Sequence, residues 1–412
     1  MCLGNGLRND LGVVGANRAG YAKGQAAIGN GCPRARAAPR LIYVATEDWH
    51  FLSHCLAMAR AARAAGFEVH VATNVTEDAA SIRGEGFILH AVRFGRGRLS
   101  PLRTLRTIST LRHLYRLVDP AIVHHVAMEP ALLGIVASFG SAFAAVYAIA
   151  GLQPPPPAAK RRWLRPGRRL LLRLGLKRRR AAGLVQTPDD RDALAKLGVK
   201  PERIALIAGA GIDADRLRPI PEPDGQVTVA FAGRMAVDHG VRTLIEAQRI
   251  LRASGIASDL LLAGTPDPAD STSIPQIEVA GWGRESGVTW LGHVPDIAAV
   301  WRRAHIAVLP SRGGQGVPQS LLEAAAFGRP LIATDVPGCR EIVIHEKTGL
   351  LVPVDDPQAL ASAILRLVRS SALRVRLGVA ARRLVDERFA ADLVGKATVA
   401  LYQRLLAEST VR

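Results

Sequence analysis

Short apolar runs recur along this chain, and longer amphipathic segments separate them. Leu41 to Ala45 and Val227 to Ala232 are two such runs, and a loop and a segment with helical spacing of apolar residues follow each. Continuous apolar runs of this length are typical of strands that are covered on both faces, as in a parallel sheet. The pattern therefore predicts an α/β protein in which helices flank parallel strands.

The strand–helix pattern occurs twice, on either side of a proline-rich linker at 218–225. With 412 residues, the chain is long enough for two or three domains. We expect two Rossmann-like, doubly wound parallel-sheet domains facing a cleft, which is a frequent kind of ligand site. The predicted parts are a disordered extension at 1–39, a first domain at 40–217, a second domain at 218–390, and a helix at 391–412 that packs back on the first domain.

The chain carries a formal net charge of +19, which narrows the classes of partner. Such an excess suits nucleic acid, an anionic membrane surface or anionic substrates. Because no RNA-binding signature or zinc finger accompanies the charge, we expect no nucleic-acid partner. The four cysteines show neither zinc-like nor CxxC spacing, which favours a reduced, cytoplasmic compartment.

Two segments bear on membrane contact. Residues 160–180 carry eleven Lys or Arg and no acid, interleaved with leucines and Trp163. A solvated helix face has this composition, and so does an amphipathic segment on an anionic membrane, which we expect here. Ala131 to Leu152 is uncharged and about as long as a membrane span, but its small residues favour a buried helix followed by a buried strand.

The strongest site candidate is a glycine-rich loop between a predicted strand and a predicted helix. Gly313, Gly314 and Gly316 would let the backbone approach a ligand closely. Pro318 suits the first helical turn, where N–H groups and the helix dipole favour an anion such as a diphosphate. Glu323 follows in the helix, where its carboxylate could accept hydrogen bonds from two hydroxyls of a ribose. An ordinary loop with a solvent-facing glutamate would show the same local pattern.

A second candidate follows the strand at Val227 to Ala232. Gly233 ends the strand, and Arg234 beside it could pair bidentately with phosphoryl oxygens. A cation at this place would also stabilise a departing nucleoside diphosphate. A surface arginine after a strand is the alternative interpretation.

Together these segments resemble glycosyltransferase family 4, the large retaining GT-B family. The resemblance runs from about Leu41 to the end and is most specific from Ile306 to Pro353. The segments 46–54 and 123–128 resemble the branch that builds polyprenyl-diphosphate-linked bacterial glycans. The resemblance implies retaining transfer of a hexose or N-acetylhexosamine from a UDP-sugar co-substrate, without cofactor or metal. It also implies a lipid-linked or polysaccharide acceptor at the cytoplasmic face of the plasma membrane.

The family pattern also assigns residues to the donor site. Ribose binding carries over to Glu323, and the glutamate that contacts the donor sugar in the family falls on Gln315. The lysine that grips the diphosphate falls on His239, whereas Arg234 is retained. Arg234, His125 and Gln315 are the predicted catalytic residues. The other predicted donor-side residues are Gly233, Gly292, Gly314, Gly316, Val317 and Leu322.

The N-terminal half supplies the predicted acceptor side. His124 and His125 end a strand, where ligands of open parallel sheets sit, and alternation lets only one of them face the cleft. A histidine satisfied inside the sheet is the alternative. His50 and His54 have helical spacing but lack a third ligand, so no metal is expected. The predicted acceptor-side residues, in part from the loop at 46–50, are Glu47, Asp48, Trp49, His50 and His124. Glu47 and Asp48 either cap the following helix or line the cleft.

Two other functions are alternatives to an active glycosyltransferase. Gln315 and His239 depart from the family pattern, which is compatible with a silent paralogue that binds nucleotide or lipid as a partner. A GT-B-like sugar epimerase would need an acid–base pair of carboxylates in the cleft, and no convincing pair is evident. Because the other motif residues are intact, we expect an active transferase.

Overall fold

A computed structural model describes residues 38–95, 100–152, 166–268 and 270–408. Most of the predicted extension at 1–39 lies outside the described residues, and so does the first part of the basic stretch, including Trp163. Within the described ranges the chain forms two parallel sheets with helices on both faces. The predicted fold class is confirmed.

The N-terminal sheet has seven parallel strands in the order β3-β2-β1-β4-β5-β6-β7. Its strands are β1 (Arg40–Glu47), β2 (Glu68–Asn74), β3 (Ile88–Ala91), β4 (Ile122–Val126), β5 (Ala144–Ala148), β6 (Ala181–Val185) and β7 (Ile204–Leu206). Its helices are α1 (Asp48–Ala64), α2 (Ala79–Gly84), α3 (Pro101–Val118), α4 (Met128–Ala137), α5 (Pro166–Leu176) and α6 (Pro188–Lys196).

The C-terminal sheet has six parallel strands in the order β10-β9-β8-β11-β12-β13. Its strands are β8 (Thr228–Ala232), β9 (Asp259–Ala263), β10 (Val288–Gly292), β11 (Ile306–Leu309), β12 (Leu331–Thr334) and β13 (Gly349–Val352). The helices are α7 (Val241–Ala253), α8 (Gln276–Trp282), α9 (Ile297–Arg303), α10 (Gln319–Ala326), α11 (Pro337–Arg340), α12 (Pro357–Arg369), α13 (Ser371–Leu384) and α14 (Ala391–Ala407).

The strand orders place one topological switch point in each sheet. In the first sheet it lies between β1 and β4, and in the second between β8 and β11. Ligands of open α/β sheets bind in the crevice beyond the carboxyl ends of strands at this point. Glu47 and Ala127 therefore mark one crevice, and Gly233 and Ser311 mark the other.

The burial pattern follows from strands that are covered on both faces. Every residue of β4, β11 and β12 is buried. The uncharged segment 131–152 forms the end of α4 and the strand β5, which confirms the predicted buried helix and buried strand. Among the residues that the structure describes, no helix combines the length and apolar character needed to cross a bilayer.

Helix α5 exposes part of its apolar surface. Leu172 and Leu176 are buried against the N-terminal domain, whereas Leu170 and Leu174 are 58% and 53% exposed. The helix sits beside α4, and its basic residues share the exposed side with the two outward leucines. The described part of the basic stretch is thus amphipathic with an uncovered apolar strip.

The last helix, α14, packs against α1 of the N-terminal domain. Gly395 allows a close approach, because a Cβ at this position would lie 2.6 Å from the Cβ of Ala61. Further along the helix, the hydroxyls of Tyr402 and Tyr43 are hydrogen-bonded at 2.8 Å, and His124 Nδ1 lies 2.5 Å from the same Tyr402 hydroxyl. All three side chains are buried. This network fastens the C-terminal helix to the N-terminal sheet.

We expect Tyr402→Phe to lower the free energy of unfolding by about 1–3 kcal/mol, because it leaves the buried polar groups of Tyr43 and His124 without their shared partner. Urea denaturation followed by circular dichroism measures the change. Arg404→Ala, an exposed substitution on the same helix, is the control and should stay within about 0.5 kcal/mol of wild type. Equal stability of Tyr402→Phe and wild type would show that the network is dispensable.

Candidate active site

The glycine loop after β11 lies against the N-terminal domain. A Cβ at Gly316 would be 2.0 Å from Gln186 Oε1, and a Cβ at Gly151 would be 2.4 Å from the Gly314 carbonyl oxygen. The same Gln186 oxygen accepts a hydrogen bond of 2.9 Å from the Val317 N–H. We predicted that these glycines let the backbone approach a ligand closely. In the structure, they let the loop approach the backbone and side chains of the N-terminal domain. Sequence reasoning missed Gln186, because only the fold brings β6 to this loop.

Gln315 is held by the loop that carries it. Its Nε2 donates to Ser311 Oγ at 2.7 Å, and that oxygen also accepts from the Gly313 N–H at 3.1 Å. Ser311 is fully buried. The amide nitrogen of Gln315 is thus engaged, which leaves its carbonyl oxygen as the group that can accept from a ligand.

Glu323 lines a cavity between the two domains, whose walls do not include Arg234, His239 or Gln315. The cavity has a volume of about 1180 Å³ and is bounded by α1 and α14 on one side and by α9 and α10 on the other. Its walls include Leu52, Ala57, Gly211, Ile297, Gln319 and Lys396. Burial raises the pKa of Glu323 to about 7, and the neighbouring side chains of Gln319 and Trp301 favour its ionised form. The solvent-facing alternative for Glu323 is not what the structure shows.

The two residues expected to supply positive charge to a diphosphate, Arg234 and His239, supply less of it than the sequence pattern suggests. Arg234 is half exposed and pairs with Asp270, whose Oδ2 lies 2.5 Å from Nη1. His239 lies against Gly233, and burial together with the charge of Arg234 lowers the pKa of His239 to about 4. At pH 7 the imidazole is therefore neutral. Within the described residues its Nδ1 is buried without a hydrogen-bond partner.

Three other residues that were predicted to bind the donor lie at a strand end or in the core. Gly292 ends β10 with φ +67, and its carbonyl oxygen accepts from the Gly264 N–H at 2.7 Å. Val317 and Leu322 are buried. The Leu322 side chain packs towards Gly209, where an added Cβ would lie 3.2 Å from Leu322 Cδ1. The Leu322 side chain thus belongs to the packing between α10 and the segment around Gly209, and its predicted place in donor binding stays a prediction.

The predicted loop at 46–50 is wrong, because β1 continues to Glu47 and α1 starts at Asp48. Glu47 occupies the N-cap position but makes no side-chain cap hydrogen bond. Its Oε1 accepts from Asn74 Nδ2 at 3.0 Å. Asp48 accepts from the backbone and hydroxyl of Thr76 and is fully buried. Both carboxylates therefore accept hydrogen bonds from the end of β2 and the loop after it, and Asp48 also accepts from the Trp49 N–H in the first turn of α1 at 2.9 Å.

Trp49 and His50 follow Asp48 in the first turn of α1. Trp49 is 41% exposed, and the His50 ring lies 4.6 Å from that of His54. Burial, His54 and the charge of Arg234 lower the pKa of His50 to about 3. His50 therefore lies within the electrostatic reach of Arg234, and its predicted acceptor-side contact stays a prediction.

The structure buries both histidines of β4, although we expected one to face the cleft. His125 Nε2 is 2.9 Å from the Tyr115 hydroxyl, and its ring occupies the space that Gly134 leaves free. His124 lies on the opposite face, stacked on Tyr43. Burial lowers the pKa of each to about 3. These positions support neither a catalytic role for His125 nor an acceptor contact for His124, because side chains of consecutive strand residues enter the two cores instead.

Comparison with known proteins agrees with this architecture. The description "Glycosyl transferase 4-like" matches residues 40–181, and "Glycosyl transferases group 1" matches residues 226–370. Two facing Rossmann-like domains with a glycine loop and Glu323 at the cleft define a GT-B protein. The chain belongs to the GT-B glycosyltransferases of family 4.

The chain is similar in sequence to bacterial glycosyltransferases and similar in fold to several solved structures. The capsular polysaccharide biosynthesis glycosyltransferase CapM of Staphylococcus aureus is 26% identical over 181 residues, which are 44% of this chain and 47% of CapM. The chain thus spans about half the length of the curated relatives it matches. Sucrose-phosphate synthase from Thermosynechococcus elongatus has a similar fold, with TM-score 0.73, 21% identity and coverage of 90% of this chain and 99% of that chain. The crystal structure of Anabaena HepE in complex with UDP and glucose is similar as well, with a TM-score of 0.72 and 14% sequence identity. The match covers 89% of this chain and 99% of that chain.

The raised pKa of Glu323 predicts a pH-dependent stability. The folded state favours the protonated acid, so this contribution is complete below about pH 4.5 and is lost as the pH rises to about 7. Relative to Glu323→Gln, the free energy of unfolding of wild type should fall by about 3 kcal/mol between pH 4.5 and pH 8. Urea titrations of both proteins across this range measure the difference.

Glu246→Gln is the matched control, because Glu246 lies on the exposed side of α7. Its offset from wild type should be the same at both ends of the pH range. A pH-independent offset for Glu323→Gln would contradict the burial of this carboxyl group.

Proposed function

We propose that the protein transfers a hexose or N-acetylhexosamine from a UDP-sugar to a lipid-linked or polysaccharide acceptor, with retention of anomeric configuration. The observation that carries the proposal is the position of Glu323, which lines the cavity between α1 and α14 on one side and α9 and α10 on the other. Two ribose hydroxyls would donate to its oxygens, and this contact would restore the ionised form that burial disfavours.

The diphosphate would lie between Arg234 and the N-terminal end of α10. The backbone N–H groups of a helix start favour an anion, and a guanidinium pairs bidentately with phosphoryl oxygens. Arg234 would exchange Asp270 for the phosphates when the donor binds, and the developing charge on the leaving diphosphate would strengthen that pair. The Gln315 carbonyl oxygen is available for a hydroxyl of the sugar. Retention follows from the family resemblance, which assigns catalysis to positioning and charge stabilisation.

A second function is favoured by the electrostatics of the same site. His239 is neutral, Gln315 carries no charge, and Arg234 is paired with Asp270. A site with so little free positive charge also suits a protein that binds a nucleotide or lipid without transferring a sugar. The two functions differ in one measurable respect, which is turnover of a nucleotide sugar.

We propose that the enzyme works at the cytoplasmic face of the plasma membrane, bound peripherally through the basic stretch at 160–180. Its described part supports this placement, because Leu170 and Leu174 are exposed among arginines on α5. Apolar side chains would enter the headgroup region while the cations meet anionic lipids. Each Lys or Arg near such a surface contributes about 1 kcal/mol.

We expect UDP to raise the melting temperature of wild type, since a ligand that binds the folded state stabilises it by about 2.7 kcal/mol at one hundred times its Kd. Glu323→Ala should weaken UDP binding by roughly 10- to 100-fold, because charged hydrogen bonds to ribose are lost. Differential scanning fluorimetry with increasing UDP measures the effect. Glu246→Ala is the control and should bind UDP as wild type does; unchanged binding by Glu323→Ala would remove the basis of the donor site.

Screening nucleotide sugars by the same method, followed by a transfer assay, separates the two functions. Wild type should release UDP in an acceptor-dependent manner. Transfer that occurs only after Gln315→Glu and His239→Lys are combined would instead support the non-catalytic binding protein.

Replacing Leu170 and Leu174 with serine should weaken binding to phosphatidylglycerol vesicles by about tenfold or more, because two apolar side chains leave the interface. Vesicle flotation measures the bound fraction. Ile277→Ser is the control, since Ile277 is 85% exposed on α8 of the other domain. Equal flotation of the double variant and wild type would argue against this membrane surface.

A further inference from the structure

Gln315 lies in a stretch of backbone that its neighbours leave free to change shape. Gly314 precedes it with φ +79, and Gly316 follows it. Glycine restricts its own dihedral angles less than any other residue, so the chain can pivot on both sides of Gln315. A side chain keeps a defined position towards a ligand only where surrounding groups hold it. The position of Gln315 therefore depends on contacts that hold the loop from outside these glycines.

Contacts within the C-terminal domain hold the start of the loop and one of its faces. The buried Ser311 hydroxyl accepts from Gln315 Nε2 at 2.7 Å, and the Thr334 hydroxyl donates to the Ser311 carbonyl oxygen. Gly338 of α11 leaves room for the Gly316 carbonyl oxygen, which an added Cβ at Gly338 would strike. The C-terminal domain thus supports the loop from the side of β12 and α11.

The other face of the loop meets the N-terminal domain. Gln186, which directly follows β6, accepts a hydrogen bond of 2.9 Å from the Val317 N–H. Only the oxygen of a glutamine side chain can accept from an N–H group, so this bond sets the orientation of the amide. The Cβ of Ala150 lies beside the same contact, 3.1 Å from where a Cβ at Gly316 would be. The end of the loop is thus fastened to the other domain.

The segment that carries Gln186 is itself held firmly. Thr187 is fully buried and caps α6, where its hydroxyl accepts from the Asp190 N–H at 3.1 Å. The buried Asp190 carboxylate accepts from the Gly151 N–H at 3.1 Å. Gly151 in turn packs against the Gly314 carbonyl oxygen. The junction of β6 and α6 therefore governs both contacts to the glycine loop, one directly and one through Asp190.

We propose that Gln186 is a positioning residue for the donor sugar. By accepting from the Val317 N–H, it fixes the loop so that the Gln315 carbonyl oxygen faces a sugar hydroxyl. The inference rests on the proposed function, which assigns the sugar contact to Gln315. The N-terminal domain would then complete the sugar part of the donor site, whereas ribose and diphosphate would bind to Glu323 and Arg234 of the C-terminal domain.

Isothermal titration calorimetry with UDP, UDP-glucose, UDP-galactose and UDP-N-acetylglucosamine tests the proposal. Gln186→Leu fills a similar space without an acceptor. It should weaken the sugar nucleotide that wild type binds best by roughly 3- to 10-fold and leave the affinity for UDP unchanged. Gln186→Glu keeps an oxygen at the same reach and should retain most of the wild-type ratio between sugar nucleotide and UDP. A merely structural role would change the affinities for both ligands together.

Gln358→Leu is the matched control, because Gln358 is exposed on α12. It should bind all four ligands as wild type does. Gln186→Ala removes the same oxygen without adding a branched side chain, so it shows whether a poor fit of leucine causes the effect. The proposal is overturned if Gln186→Leu or Gln186→Ala keeps the wild-type ratio for every sugar nucleotide, or if Gln186→Glu loses as much as Gln186→Leu. It is overturned as well if wild type binds UDP but none of the three sugar nucleotides.

Hydrogen exchange followed by mass spectrometry tests the loop contact without any ligand. Because the Val317 N–H loses its acceptor in Gln186→Leu, peptides that cover residues 311–321 should exchange several-fold faster, whereas Gln186→Glu should exchange as wild type does. Equal exchange in Gln186→Leu and wild type would contradict the proposal whatever the ligands do. If wild type binds neither UDP nor a sugar nucleotide, the proposed function fails, and faster exchange would still identify Gln186 as the residue that holds the loop.

Discussion

Close backbone contact between the glycine loop and the N-terminal domain sets the geometry on which the rest of the cleft depends. A Cβ at Gly316 would meet Gln186, and one at Gly151 would meet the Gly314 carbonyl. The Val317 N–H then donates across the boundary to Gln186. These contacts hold the carboxyl ends of two parallel sheets against each other, and both switch points open towards the same cleft.

Burial decides the charges of this cleft. It raises the pKa of Glu323 to about 7 and lowers those of His50 and His239 to about 3 and 4. At neutral pH the imidazoles are uncharged, and the carboxylate is poised between its two forms. Arg234, the cation nearest to His50 and His239 in these effects, is itself paired with Asp270.

The fold was predictable because its signal is local and repeated. Apolar runs such as 41–45 and 227–232 became β1 and β8, and the segment 131–152 became a buried helix and strand. The donor side was predictable in part, since the glycines and Glu323 follow one another within a single strand–loop–helix unit. The acceptor side was harder to predict from the sequence. The histidines at 124 and 125 have the same sequence pattern whether they face a cleft or two cores, and Tyr115, Gly134 and Tyr402, which enclose them, come from distant positions.

The sequence by itself determined the two parallel sheets, the linker between them and the unit that carries Glu323, because each depends on residues that are neighbours along the chain. Tertiary structure alone decided which polar side chains meet. Gln186 reaches the glycine loop, and Asp270 pairs with Arg234. The physical reason is that solvation and pairing depend on all the elements around a group, and these elements approach one another only after the chain has folded.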